Sequence, residues 1–202
     1  MHAEYLAARD AFSDMSPKID RKGCNLIWIY VDSLRASNLP MYGYPRDTSP
    51  RLREFAARAT LFMRAYAQGT NTLSSVPATM TGCYYSTLTR RNDVEALTGI
   101  LSRNGYRTLA AVQPDDARIF RTETQWWHGV SFDTVVTSPE PSGSSFNAPE
   151  LTQAAVDMLR RQRAGRPFFL FLFYYEPHLP FMKHEVFDDG DREEGYYDSE
   201  IS

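Results

Sequence analysis

Basic residues are in short supply: 22 Lys and Arg face 25 Asp and Glu across 202 residues, for a formal net charge of -3. That balance leaves no electrostatic footprint for nucleic acid, and no basic block marks a membrane-binding surface. Cysteine is scarcer still. Cys24 and Cys83 fit no metal-ligand spacing, and two buried thiols are the expected reading. Long apolar runs are missing too. The longest, "PFFLFLFYY" from Pro167 to Tyr175, falls well short of the roughly 20 residues that span a bilayer. The opening "MHAEYLAARDAFSDMSPKIDRKG" has no apolar centre of the kind a signal peptide carries. No Gly-rich phosphate loop follows the first apolar strand, which argues against an unrelated nucleotide-binding module. What is present is a 43% apolar chain long enough for one domain with a real core.

Residues 1–23 are polar and aperiodic and read as an arm or linker. "NLIWIYVD" (Asn25 to Asp32) then forms a continuous apolar strand ending in a carboxylate, a pattern suited to the centre of a parallel sheet. "TSPRLREFAARA" predicts a helix with Ser49 as cap, Pro50 in the first position and Leu52, Phe55 and Ala56 on one face. "TLFMRAYA" predicts a second strand. Asn92 and Glu95 form a capping-box pattern for a helix stopped by Gly105. "RTLAAV" and "SFDTVV" predict two more strands. A helix follows, with Asn147 and Glu150 at its start and Leu151, Ala155, Met158 and Leu159 along one side. "FFLFLFYY" closes the series as a buried strand. Strands alternating with helices predict an α/β fold: a doubly wound, mostly parallel sheet with helices on both faces.

In such sheets the chemistry gathers beyond the carboxyl ends of the strands. Three features fall there: Asp32, the hydroxyl-rich "GTNTLSSVPATMTG" from Gly69 to Gly82, and "EPHLPF" with His178. Each has an ordinary alternative. Asp32 could cap a helix or pair with Arg35, since a carboxylate there must be paired or metal-bound. Thr72, Ser74 or Ser75 could be a plain N-cap, and His178 a surface histidine. The position of Pro77 predicts a helix that starts between Thr72 and Ser75 and runs to Gly82. Its N-terminus would offer free N–H groups to an anionic ester.

Taken together these motifs resemble a family. The stretch from Asn25 to Gly82, with its acid-terminated strand, "LRA", "YGYPRDTSP", "AYAQG" and closing Thr-Gly, is similar to the N-terminal core of sulfatase-like enzymes of the alkaline phosphatase superfamily. "TLSSVP" (Thr72 to Pro77) looks most like the nucleophile turn of lipid A phosphoethanolamine transferases, with lipoteichoic acid synthases close behind. "PFFLFLFYYEPHLPF" resembles the family's strand and His-x-Pro substrate loop. The resemblance implies that Asp32 and Thr72 ligate a divalent metal, zinc first with calcium or manganese as alternatives. Thr72 would be the catalytic nucleophile, forming a covalent phosphothreonine, while His178 and Ser75 would bind substrate. The substrates implied are phosphate or sulfate esters, lipid-linked ones among them. Relatives usually work outside the cytoplasmic membrane or are anchored in it.

The departures are informative. Sulfatases proper carry Cys or Ser two residues before the proline and Arg two residues after it. Here Thr79 stands at the arginine position, and Ser33 follows Asp32 where a second Asp is common. Both favour phosphoryl over sulfuryl transfer. The family's other ligands, an Asp-His pair and a further histidine, have no counterpart, because His128 and His184 sit in no matching motif. Residues 24–202 are therefore expected to be the N-terminal part of a sulfatase-like catalytic domain, its C-terminal part missing. The alternative is a non-catalytic remnant of the same fold without a complete metal site.

Overall fold

The computed structural model describes residues 23–90, 94–114, 130–138, 148–162, 165–181 and 193–202. The arm over residues 1–22, Asn92, His128, Asn147, His184 and most of the 138–145 loop lie outside the described residues.

Four parallel strands make one sheet in the order β1 (Leu26–Val31), β4 (Phe168–Tyr174), β2 (Arg107–Val112), β3 (Thr134–Thr137). The helices are α1 (Pro50–Ala56), α2 (Thr72–Thr81), α3 (Tyr85–Leu88), α4 (Leu97–Arg103), α5 (Ala148–Arg160) and α6 (Glu193–Ile201). The fold is the expected α/β one. β4 lies between β1 and β2 and is apolar on both faces because both faces are covered. Phe169, Phe171 and Phe173 point to one side, into a core with Val76 and Met80 of α2, Leu101 of α4 and Ala110 and Val112 of β2. Leu170 and Leu172 point to the other, against Leu151, Ala155 and Met158 of α5.

The aromatic side of the sheet is tied together by edge-on and stacked rings. Trp28 meets Phe171 at 6.4 Å and 90°, Tyr30 meets Phe173 at 5.5 Å and 71°, and Phe132 stacks on Phe171 at 6.0 Å. These offsets suit the ring quadrupole. They also hold β1 in register with β4, from Leu26 opposite Phe169 to Val31 opposite Tyr174.

Several local expectations fail, each for a physical reason. "TLFMRAYA" is not a strand: it runs as irregular chain with a bend at Met63 and Arg64, and Phe62, Met63 and Tyr66 are exposed. β-propensity is a preference for a half-covered surface, and no neighbouring strand among the described residues supplies one. Leu52 and Phe55 of α1 are exposed as well, although the helix packs against the short turn Pro40–Tyr42. Ser49 precedes α1 but caps it through its carbonyl, which accepts the Arg53 N–H, and not through its side chain. Glu95 pairs with Arg103 across α4, whose N-cap position is Ala96. Among the described residues β1 lies at the sheet edge, not the centre, so Ile27 and Ile29, on the same face as Leu170 and Leu172, stay 55% and 57% exposed beyond the part that α5 covers. Cys24 is exposed and Cys83 half-buried, so neither is the buried thiol expected.

Phe171 is completely buried at the centre of the aromatic core. Phe171→Ala should cost about 3–5 kcal/mol in chemical denaturation, whereas exposed Ile29→Ala should cost under about 1 kcal/mol. Equal, small losses would mean that β4 is not the core strand.

Candidate active site

Asp32 extends β1 by one residue. Its N–H donates to the Tyr174 carbonyl at 2.9 Å, so the carboxylate leaves the sheet at the carboxyl end of β1 and β4. Ser33 then turns the chain sharply, with φ 57 in the left-handed region. Its hydroxyl donates to Asp32 Oδ1 at 3.3 Å.

α2 approaches this point with its N-terminus. Asn71 is the N-cap in extended conformation, and its side-chain oxygen accepts the Ser74 N–H at 3.0 Å. That leaves Thr72 in the first helical position. Its hydroxyl donates to Asp32 Oδ2 at 2.9 Å. Both side chains are half-buried, so the pair is held by protein yet open on one side. The chain enters the helix over Gly69, where an added Cβ would lie 2.2 Å from Ser74 Oγ and 2.9 Å from the Ser75 nitrogen. Only glycine lets the backbone pass this close.

The helix starts as early as the expected window allowed, which places Pro77 in its sixth position, beyond the first turn where proline was expected. The missing proline N–H leaves the Leu73 carbonyl without its helical donor. Farther along, Thr79 and Thr81 donate to the carbonyls of Ser75 and Pro77, and Gly82 ends the helix with φ 68.

The remaining candidates fall in different places. Ser75 is buried, and its Oγ accepts from the Tyr30 hydroxyl at 3.1 Å, which ties α2 to β1. His178 follows β4 in a half-buried loop, with Nδ1 2.8 Å from the Leu179 carbonyl and its ring 4.4 Å from that of Tyr175. A carbonyl only accepts, so Nδ1 carries a proton and Nε2 is left for another partner. Among the described residues no hydrogen bond joins His178 to Asp32 or Thr72.

The donor set fits a cation in part. A carboxylate and a hydroxyl are hard oxygen ligands, and oxygens 2.9 Å apart can share one ion bound at about 2.0–2.2 Å from each. Two ligands are fewer than the three that a catalytic zinc site takes. Among the described residues no group of three His, Cys, Asp or Glu is placed to hold a metal.

A family model decides the affiliation: the model described as Sulfatase matches residues 24–200. The chain belongs to the sulfatase family. Solved structures agree on the fold. The C-terminal periplasmic domain of EcEptC from Escherichia coli, in complex with Zn, superimposes with a TM-score of 0.71 at 14% identity, over 90% of this chain and 56% of that one. An alkaline phosphatase superfamily protein from Vibrio parahaemolyticus gives 0.67 at 20% identity, over 90% and 48%. The soluble domain of lipooligosaccharide phosphoethanolamine transferase A from Neisseria meningitidis gives 0.61 at 15%, over 90% and 59%. The sulfatase chain thus spans about half the length of these neighbours. No curated protein matches its sequence. Among the described residues no helix is long and apolar enough to cross a membrane.

The expectations for this family pointed to Thr72 but overlooked Asn71. The spacing from Asn71 to Ser74 is a cap signal in itself, hidden by the neighbouring hydroxyls. Asn71→Ala should cost about 1 kcal/mol in urea unfolding, and Asn71→Asp should restore most of it. No loss on truncation to alanine would remove Asn71 as the cap.

Proposed function

We propose that this sulfatase-family chain carries the nucleophile and one metal ligand of a site that cleaves or transfers phosphate esters through a covalent phosphothreonine at Thr72. The observation that carries this reading is the 2.9 Å hydrogen bond from Thr72 Oγ1 to Asp32 Oδ2, at the carboxyl end of β1 and the N-terminus of α2.

An unassisted threonine hydroxyl is a poor nucleophile at neutral pH. A divalent cation held by Asp32 and Thr72, zinc in the first instance, would supply the Lewis acidity that lowers the hydroxyl's pKa and polarises the ester. The Thr72 proton already points at Asp32 Oδ2, so it leaves along that bond as Oγ1 attacks phosphorus. The P–O bond to the leaving alcohol breaks, and the alkoxide takes a proton from water, leaving hydroxide. Water or an acceptor hydroxyl then attacks phosphorus and gives its proton to that hydroxide, the P–O bond to Thr72 breaks, and the proton held by Asp32 returns to Oγ1. The N-terminus of α2 lies beside the transferring anion, where its dipole favours negative charge.

The choice of Thr72 over Ser75 rests on what each hydroxyl touches. Ser75 occupies the position two residues before Pro77 that is the nucleophile in sulfatases proper, yet here it accepts a bond from Tyr30 while Thr72 meets the carboxylate. This supports phosphoryl over sulfuryl transfer. Ser75 and His178 are proposed substrate contacts. Two neighbours named phosphoethanolamine transferase and phosphonate monoester hydrolase support esters of phosphorus acids as the substrate class. The lipooligosaccharide in the first name supports lipid-linked substrates, and the periplasmic domain among the neighbours supports a site outside the cytoplasmic membrane.

In the full-length protein, Thr72→Ala should lower turnover of bis(p-nitrophenyl) phosphate by about a thousandfold or more. Ser74→Ala should retain most of it. Peptide mass spectrometry after brief reaction should find the p-nitrophenyl phosphoryl group on Thr72 alone. Undiminished turnover by folded Thr72→Ala would reject the role.

A further inference from the structure

We propose that Tyr197, on α6, is a positioning residue that fixes the Asp32–Thr72 pair through the turn just after Asp32. Its hydroxyl donates to the Ser33 carbonyl at 2.8 Å and accepts the Arg35 N–H at 2.7 Å. One phenol therefore bridges two peptide groups of the turn in opposite senses. Those groups lie 164 and 162 residues away in sequence. Ser33 between Asp32 and this clamp has φ 57 without being glycine. Such a conformation is unfavourable for an L-residue and persists where surrounding contacts over-determine it. The described contacts that do so are the Asp32 N–H to Tyr174 on one side and Tyr197 on the other.

The clamp is itself held rigidly. Tyr197 is fully enclosed, with the Arg35 guanidinium 4.5 Å over its ring and Phe181 edge-on at 5.3 Å. Burial raises its pKa, outweighing the lowering by the Arg35 N–H and the Arg35 charge. The hydroxyl keeps its proton and can go on donating to Ser33. The next residue, Asp198, is wholly buried and accepts from Asn38 Nδ2 at 2.9 Å, the Tyr44 hydroxyl at 2.7 Å and the Arg46 guanidinium at 3.0 Å. Asp198 organises the outer part of the loop from 36 to 48, and Tyr197 its first turn. The division of labour is spatial: Tyr197 bonds the two peptide groups just after Asp32, at Ser33 and Arg35, while Asp198 bonds side chains farther along the loop.

The inference rests on the reading of Asp32 and Thr72 as the site, but its test uses neither metal nor ester. Tyr197→Phe keeps the ring and deletes both bonds, leaving one N–H and one C=O of the turn unanswered. By NMR, the HN–Hα coupling of Ser33 should move away from its left-handed value, and the amide shifts of Asp32 and Thr72 should move with it. Phe181→Leu removes the ring neighbour but keeps the hydroxyl; it should lower the melting temperature and leave those signals in place. In the unmodified protein the Arg35 amide should exchange slowly with solvent, and about tenfold faster in Tyr197→Phe. A folded Tyr197→Phe with unchanged Ser33, Asp32 and Thr72 signals overturns the proposal. So does an unprotected Arg35 amide in the parent, which needs no variant at all. Should Thr72→Ala leave turnover intact, the catalytic reading fails while the NMR result still decides the role of Tyr197.

Discussion

A carboxylate at the end of an apolar strand has to be answered by something, and the contacts of Asp32 are the constraint on which the rest of this structure turns. Leaving it desolvated and unpaired would cost several kcal/mol. The chain meets that cost with two hydroxyl donors, Ser33 on Oδ1 and Thr72 on Oδ2. The second requires a helix N-terminus to arrive at the carboxyl end of β1. That in turn requires the Asn71 cap, the bare Gly69 and the tie from Ser75 to Tyr30. Sheet, helix start and turn are coupled through one oxygen-to-oxygen distance.

What holds these parts in place is an aromatic core on one side and a polar clamp on the other. Phe169, Phe171 and Phe173 of β4 grip Trp28 and Tyr30, which fixes β1 lengthwise and so fixes where Asp32 emerges. Dispersion and ring geometry set that register without any polar group. Beyond the strand the chain is governed by hydrogen bonds, since Asn38, Tyr44 and Arg46 converge on Asp198. A buried ion pair of this sort adds less to stability than to definition of the loop, because desolvation offsets most of the attraction. The outer face of β1 is different. Ile27 and Ile29 remain open to solvent at an edge, the kind of surface that invites pairing with another strand.

The strands of this fold were legible because burial on both faces leaves a continuous apolar word: "NLIWIYVD", "RTLAAV" and "FFLFLFYY" each became what they spell. The sheet order was not legible. Nothing in the composition of "NLIWIYVD" tells a central strand from an edge one, and β1 is at the edge among the described residues. "TLFMRAYA" has the same apolar character as a strand but, among the described residues, no strand to pair with, so its chemistry misled. At the site, Asp32 and Thr72 were visible as residue types at strand and helix ends, and the family resemblance joined them across 40 positions. Tyr197 and Asp198 were invisible, because a clamp made by a distant helix depends on three-dimensional contact and leaves no local pattern.

The chemistry proposed here depends on Asp32 being a metal ligand and not only the acceptor of two hydroxyls. Two oxygens 2.9 Å apart are compatible with either role. Zinc titration into the full-length protein, followed by calorimetry for the parent, Asp32→Asn and Thr72→Val, separates them. The account predicts that Asp32→Asn weakens zinc binding by about a hundredfold or more, since a neutral amide replaces an anionic ligand, with a smaller loss for Thr72→Val. Equal affinity in the parent and in Asp32→Asn would contradict it and leave Asp32 as the structural anchor of the turn.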